Sequence, residues 1–161
     1  EKETDEALIS DLLELLPLVE TDMTLFFRNL AHVSILENTV EPAAGRELPE
    51  ALLDAFYQPD ELTPDYREKM NAWLKRYASR LKSDAMDPVE RRRAMNRVNP
   101  LYVLRNYLAQ LAIDKAEEGS FGLIHELLDV MRNPYEEQPG REKFAEKRLL
   151  GSLYNVAASP I

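Results

Sequence analysis

The sequence predicts an all-helical fold, a bundle of about six to eight amphipathic helices. Three observations predict it. Apolar residues recur at helical spacing in every periodic segment, and no alternation of period two competes with them. Only 5 of the 161 residues are glycine, while the good helix formers Leu, Ala, Glu, Lys and Arg are plentiful. A short polar residue followed by proline, a helix-start signal, recurs at 63–64, 87–88 and 99–100. The length suits one domain with a real core, so residues 1–161 are read as a single helical domain whose tail, 141–161, carries a weaker pattern.

Taken in order, Leu8, Ile9, Leu12, Leu13, Leu15 and Leu16 form a first helix that Thr4 or Asp5 would cap and Pro17 would end or kink. Asp22 caps a second run, in which Met23, Phe26, Phe27, Leu30 and Val33 make one stripe. Between Asn38 and Pro49 the composition shifts to Pro, Ala, Gly and acidic residues and reads as a loop. Pro49 then starts a short helix with Leu52, Leu53 and Phe56. Thr63-Pro64 opens the clearest helix, in which Tyr66, Met70, Trp73, Leu74, Tyr77 and Leu81 step along one face. Asp87-Pro88, with Glu90 following, repeats the device in the manner of a capping box. Asn99-Pro100 does so again for a helix lined by Leu101, Leu104, Leu108 and Leu111, which Gly119 stops. Ser120 caps the next, carrying Leu123, Ile124, Leu127, Leu128 and Met131 as far as Asn133-Pro134. Beyond Pro139 the pattern continues through Phe144, Leu149, Leu150 and Leu153.

Composition excludes several classes of function. A formal net charge of -9 argues against nucleic acid as a partner, because neutralising phosphates takes a surplus of Lys and Arg. No cysteine is present, so disulfides, zinc–thiolate sites and thiol nucleophiles are ruled out. No apolar run approaches the roughly 20 residues that span a bilayer, so no membrane role is expected. The expected compartment is the cytoplasm, or the mitochondrion if the chain is eukaryotic. The opening residues, Glu1 to Asp5, form neither a signal nor a transit peptide and contain no Met, so a piece of a longer chain is expected.

No catalytic constellation is legible. The glycines at 45, 119, 122, 140 and 151 never build a phosphate-cradling loop, and no kinase-type catalytic loop or Asp-Phe-Gly is present. His32 and His125 stand apart without a second ligand at zinc spacing and read as structural or surface residues. Glu117-Glu118 and Glu136-Glu137 read as solvated charge, since paired acids do chemistry only at a set separation across a cleft. Arg91, Arg92, Arg93 and Arg97 form a basic cluster. Docking to an acidic surface or to phosphate is set against a solvated face whose arginines pair with acids such as Glu90 or with a neighbouring helix, and the second is favoured because three consecutive residues cannot share one helical face. Arg105 and Asn106 fall mid-helix in an apolar stretch, where multi-donor groups need partners. An internal salt-bridge or capping role and a polar contact to another domain or ligand both fit.

The segment AMNRVNPLYVLRNYLAQ, Ala94 to Gln110, resembles a signature of the selenoprotein O family. RNPYEEQP, Arg132 to Pro139, is similar to its next landmark, and Leu8 to Leu13, Thr24 to Arg28 and Trp73, Leu74 and Tyr77 resemble its preceding helices. The resemblance implies the non-catalytic C-terminal part of a kinase-like protein, a pseudokinase that transfers AMP from ATP to protein Ser, Thr or Tyr hydroxyls with magnesium at the phosphates. It carries no catalytic, cofactor-binding or metal-binding residue onto this sequence, because the family's functional residues match no position here. ATP and magnesium are implied for the parent enzyme only. The partners implied are the kinase-like N-terminal portion of the same polypeptide and the parent's protein substrates. Asn99, Tyr102, Arg105 and Asn106 are the candidate interdomain contacts, on a helix expected to begin at Pro100. The family's cysteine-containing tail, linked to redox control, has no counterpart in Asn155 to Ile161.

Two classes of function remain: an accessory helical region of a protein adenylyltransferase, inactive alone, and a free-standing helical interaction module whose grooves take a partner helix or peptide.

Overall fold

The computed structural model describes residues 2–33, 48–84 and 86–147. Among them are seven α-helices: α1 (Lys2–Leu15), α2 (Met23–Leu30), α3 (Glu50–Leu53), α4 (Pro64–Asp84), α5 (Pro88–Val98), α6 (Asn106–Glu117) and α7 (Gly122–Arg132). Short 3-10 turns lie at Leu16–Leu18, Pro59–Glu61 and Glu142–Phe144. The all-helical expectation holds. The one β feature among the described residues is an isolated antiparallel bridge between Thr21 and Phe56. No described helix is long and apolar enough to cross a membrane. The chain packs as two compact units, Glu1–Met95 and Asn96–Ile161.

In the first unit, proline and short polar caps set the helix limits. Pro17 sits in the 3-10 turn that closes α1. Asp22 caps α2 by accepting a hydrogen bond from the Leu25 amide at 2.9 Å. Thr63 Oγ1 accepts from the Tyr66 amide at 3.2 Å, and Pro64 takes the first helical position of α4, where its missing N–H costs nothing. Asp87 caps α5 through bonds to the Val89 and Glu90 amides at 2.9 and 3.2 Å. The expected cap of α1 is displaced: the helix already runs at Lys2, so Thr4 and Asp5 lie inside it. Asp5 serves instead as the ion-pair partner of Arg80, with Oδ1 2.6 Å from Nε.

The core of this unit is one cluster in which Leu8, Leu12 and Leu16 meet Phe26, Leu30, Leu52 and Phe56 and the inward face of α4. Tyr66, Met70, Trp73 and Leu74 are buried and Tyr77 half-buried, as the stripe predicts, whereas Ile9, Leu13 and Met23 are exposed. Aromatic rings meet edge to face, Phe26 with Phe56 at 6.4 Å and Phe56 with Tyr66 at 5.9 Å between centroids. The Trp73 ring stacks on Tyr77 at 5.1 Å, and its Nε1 donates to the Leu8 carbonyl at 2.8 Å. That buried bond ties α4 to α1, since a buried indole N–H left without an acceptor would be costly. On the outside, Arg80 pairs with Asp5 and Asp84, and Arg76 pairs with Asp11. The Arg80 guanidinium holds the Asp5 carboxyl below the usual carboxylate range. Burial pushes the Tyr66 hydroxyl up to about 12 and raises that of Tyr77 as well.

In the second unit, Tyr102, Leu108, Ala112, Leu127, Val130 and Phe144 form a separate buried cluster between α6 and α7. Gly119 ends α6 at φ +84, a conformation glycine takes without strain. The Gly119 amide donates to Ala116 O at 2.9 Å and the Ser120 amide to Lys115 O at 2.8 Å. This is the two-bond Schellman arrangement, and it uses Ser120 to finish α6. The N-cap of α7 therefore falls on Phe121, which makes no side-chain cap bond, and the expected Ser120 cap is not formed. Phe144 enters the core from a 3-10 turn, not from a continuing helix. The expectations for Leu149, Leu150 and Leu153 lie outside the described residues.

Trp73→Ala is expected to destabilise the chain by about 3–5 kcal/mol, because the ring is buried and its N–H is used. Urea unfolding followed by circular dichroism measures this. A change within about half a kcal/mol would show that the ring contributes as a surface group does.

Candidate functional site

Asn99, Tyr102 and Arg105 lie on the link between α5 and α6 and Asn106 opens α6, so the structure corrects their expected setting. No helix begins at Pro100. α5 stops at Val98, residues 99–105 are irregular, and α6 starts at Asn106. Arg105 and Asn106 are therefore not mid-helix. Arg105 is the N-cap residue, in extended conformation at φ -66, ψ 147, and its carbonyl accepts from the Leu108 and Ala109 amides at 3.0 and 3.1 Å.

The amides that an Asn99 cap would engage, those of Leu101 and Tyr102, both donate to the Pro134 carbonyl, at 2.7 and 3.0 Å, which holds this segment against residues 133–138. Tyr102 is 2% exposed with its ring in the core of the unit, and its hydroxyl accepts from the Gln138 amide at 3.2 Å. The Gln138 side chain donates from Nε2 to Val130 O at 3.0 Å and Asn133 O at 2.9 Å, satisfying carbonyls at the end of α7. Segments 99–105 and 133–138, read separately in the sequence, thus form one hydrogen-bonded knot. The sequence reading missed Gln138; its only local signal is a long amide donor shortly past a helix end.

Within that knot the candidates differ. Tyr102 is committed to the interior. Asn99 and Arg105 are half-buried, and neither is without a partner. Asn106 is exposed, and Leu104, beside Arg105, is 55% exposed. The basic cluster also divides. Arg91 turns inward to donate to Val33 O at 3.1 Å, while Arg92, Arg93 and Arg97 are exposed.

The remaining candidates for chemistry stay dispersed. His32 and His125 are exposed, in different units. Glu118 pairs with Lys115 at 2.8 Å, which raises the lysine's pKa. Glu117, Glu136 and Glu137 are exposed. Among the described residues no group of three or more His, Cys, Asp or Glu is placed to hold a metal ion. A groove of about 420 Å³ between α1 and α4 is lined by Thr4, Asp5, Arg76, Ser79, Arg80 and Ser83, among others. Its arginines are held by Asp5, Asp11 and Asp84, so its charge is already satisfied within the wall.

Residues 1–132 match the family model described as protein adenylyltransferase SelO. Similar relatives include the protein nucleotidyltransferase YdiU of Rhodopirellula baltica, 49% identical over 154 residues that cover 92% of this chain and 28% of the relative. The protein nucleotidyltransferase YdiU of Aromatoleum aromaticum is 47% identical over 144 residues, covering 89% of this chain and 26% of the relative. The chain belongs to the SelO family. It spans about a quarter of the length of these relatives.

Tyr102→Phe keeps the ring and removes only the hydroxyl that meets Gln138. It is expected to lower stability by about 0.5–1.5 kcal/mol, the usual net worth of one such bond. An unchanged unfolding midpoint would show that the 133–138 loop is held without it.

Proposed function

We propose that this chain is the helical accessory region of a protein adenylyltransferase, supporting the kinase-like lobes and inactive alone. The parent would transfer AMP from ATP to Ser, Thr or Tyr hydroxyls of protein substrates. Family membership over residues 1–132, together with the quarter of the relatives' length that the chain spans, is the observation that carries this reading. The names of the relatives support the reaction class. The chemistry needs donors preorganised around the phosphates and a metal held by carboxylates, and the sequence here offers no glycine-rich cradle for them. ATP and magnesium would bind in the part of the parent outside this chain.

Asn99, Arg105 and Asn106 are proposed to meet the kinase-like portion, with Tyr102 fixing the link from inside. Arg105 sits at the junction of an irregular segment and a helix start, beside exposed Leu104, and a guanidinium flanked by apolar surface is a frequent anchor at interfaces.

Two measurements test the proposal. The isolated chain, incubated with labelled ATP, magnesium and a protein acceptor, is expected to transfer no label; transfer would overturn the accessory role. In a full-length family member carrying this chain, Arg105→Ala is expected to lower transfer several-fold, on the order of the 1–2 kcal/mol of one interface side chain. Unaltered transfer and unaltered stability would remove Arg105 from the contact.

A further inference from the structure

Gln138 spends its donors on two neighbours at once. Its side-chain amide gives Nε2 to two carbonyls at the end of α7, Val130 O at 3.0 Å and Asn133 O at 2.9 Å. Its backbone amide donates to the Tyr102 hydroxyl at 3.2 Å. The first two bonds fold residues 133–138 back on the helix end, and the third joins that loop to the link. Neither Glu nor Met, the side chains nearest in length, offers a donor, and Asn is one methylene shorter. Arg105, in turn, is caught between two fixed points. Three residues before it, Tyr102 is held by its buried ring and by the Pro134 carbonyl, which also takes the Leu101 amide. One residue after it α6 begins, and the Arg105 carbonyl already accepts from amides of that helix. Only Val103 and Leu104 lie between, and the Arg105 amide closes the span by donating to Val103 O at 2.8 Å. So short a stretch has no slack with which to absorb a displacement of Tyr102.

We infer that Gln138 is a positioning residue for adenylyl transfer by the parent, acting through Tyr102 to fix where Arg105 sits. This rests on the reading of Arg105 as a contact to the kinase-like portion, and adds to it the side chain that sets the geometry of that contact. A guanidinium bonds through a planar fork, so it meets its partner only where its own backbone is held in place. A misplacement of about 1 Å, even far from the chemistry, is enough to slow an enzyme. Gln138 touches neither substrate nor phosphate by this route.

Gln138→Met keeps the length of the side chain and removes both of its donors. In this chain, hydrogen exchange at the Leu101 and Tyr102 amides is expected to quicken at least about tenfold, while amides in the middle of α7 keep their protection. Unaltered protection at 101 and 102 would overturn the inference. In a full-length family member carrying this chain, Gln138→Met is expected to lower transfer several-fold. In an Arg105→Ala background it is expected to lower transfer no further, within about twofold. A side chain that served fold stability alone would add its loss to that of Arg105, so losses that multiply would overturn the inference, as would a Gln138→Met enzyme as fast as the unaltered one. If α7 also loses protection in Gln138→Met, Tyr102→Phe, which removes only the hydroxyl that meets Gln138, takes its place in the same cycle with the same deciding outcomes. Arg105→Ala alone tests the reading beneath. Unaltered transfer there removes the contact and the positioning role with it, whereas a loss that Gln138→Met does not share sinks the positioning role and leaves the contact standing.

Discussion

Proline's fixed φ and missing N–H form the constraint from which the rest of this structure follows. Pro17 closes α1, Pro49 is the N-cap of α3, and Pro64 and Pro88 open α4 and α5. Pro49, Pro64 and Pro88 place the ring at a helix start, which has unbonded amides to spare, whereas Pro17 offers no amide with which to continue α1. Pro100 limits α5 in the opposite way, because the residue before a proline is pushed out of the helical region, and the helix ends at Val98. Pro134, through its carbonyl, then takes the two amides that follow Pro100. Helix lengths, the position of the α5–α6 link and the knot that closes the second unit all descend from where these rings fall.

The first unit was legible because its signals are local and redundant. Thr63-Pro64 and the row Tyr66, Met70, Trp73 and Leu74 agree on one helix and one buried face, and the structure keeps both. Asp22 and Asp87 cap as their spacing predicts. What failed there is non-local. Asp5 could cap a helix by its type, but its partner Arg80 lies 75 residues away, and no local pattern announces such a pair. In the second unit the same kind of signal that starts α4 and α5 misleads at Asn99-Pro100, where the segment after the proline is bonded to the distant Pro134 carbonyl. Ser120 has the composition of a cap, yet the preceding glycine recruits its amide to finish α6.

The candidate contacts follow the same division. The sequence places Tyr102 and Arg105 on a helix that begins at Pro100, and neither lies in a helix. Type alone leaves open both a partner inside the chain and one in another domain. For Tyr102 the partner is Gln138, inside the chain. A sequence motif that looks dedicated to recognition can be dedicated to self-assembly of a loop, and only the pairing of 99–105 with 133–138 tells the two apart for that residue.

The single tryptophan has an optical consequence. Trp73 is buried, hydrogen-bonded through Nε1 and stacked on Tyr77, all within the unit Glu1–Met95. Its emission therefore reports on that unit alone, quenched or shifted as the indole leaves its carbonyl and its stacking partner. Far-ultraviolet dichroism averages over helices of both units. Where the two signals lose amplitude together, the units melt as one; where fluorescence lags or leads, they melt apart, and one native chromophore resolves the cooperativity of the chain without any label.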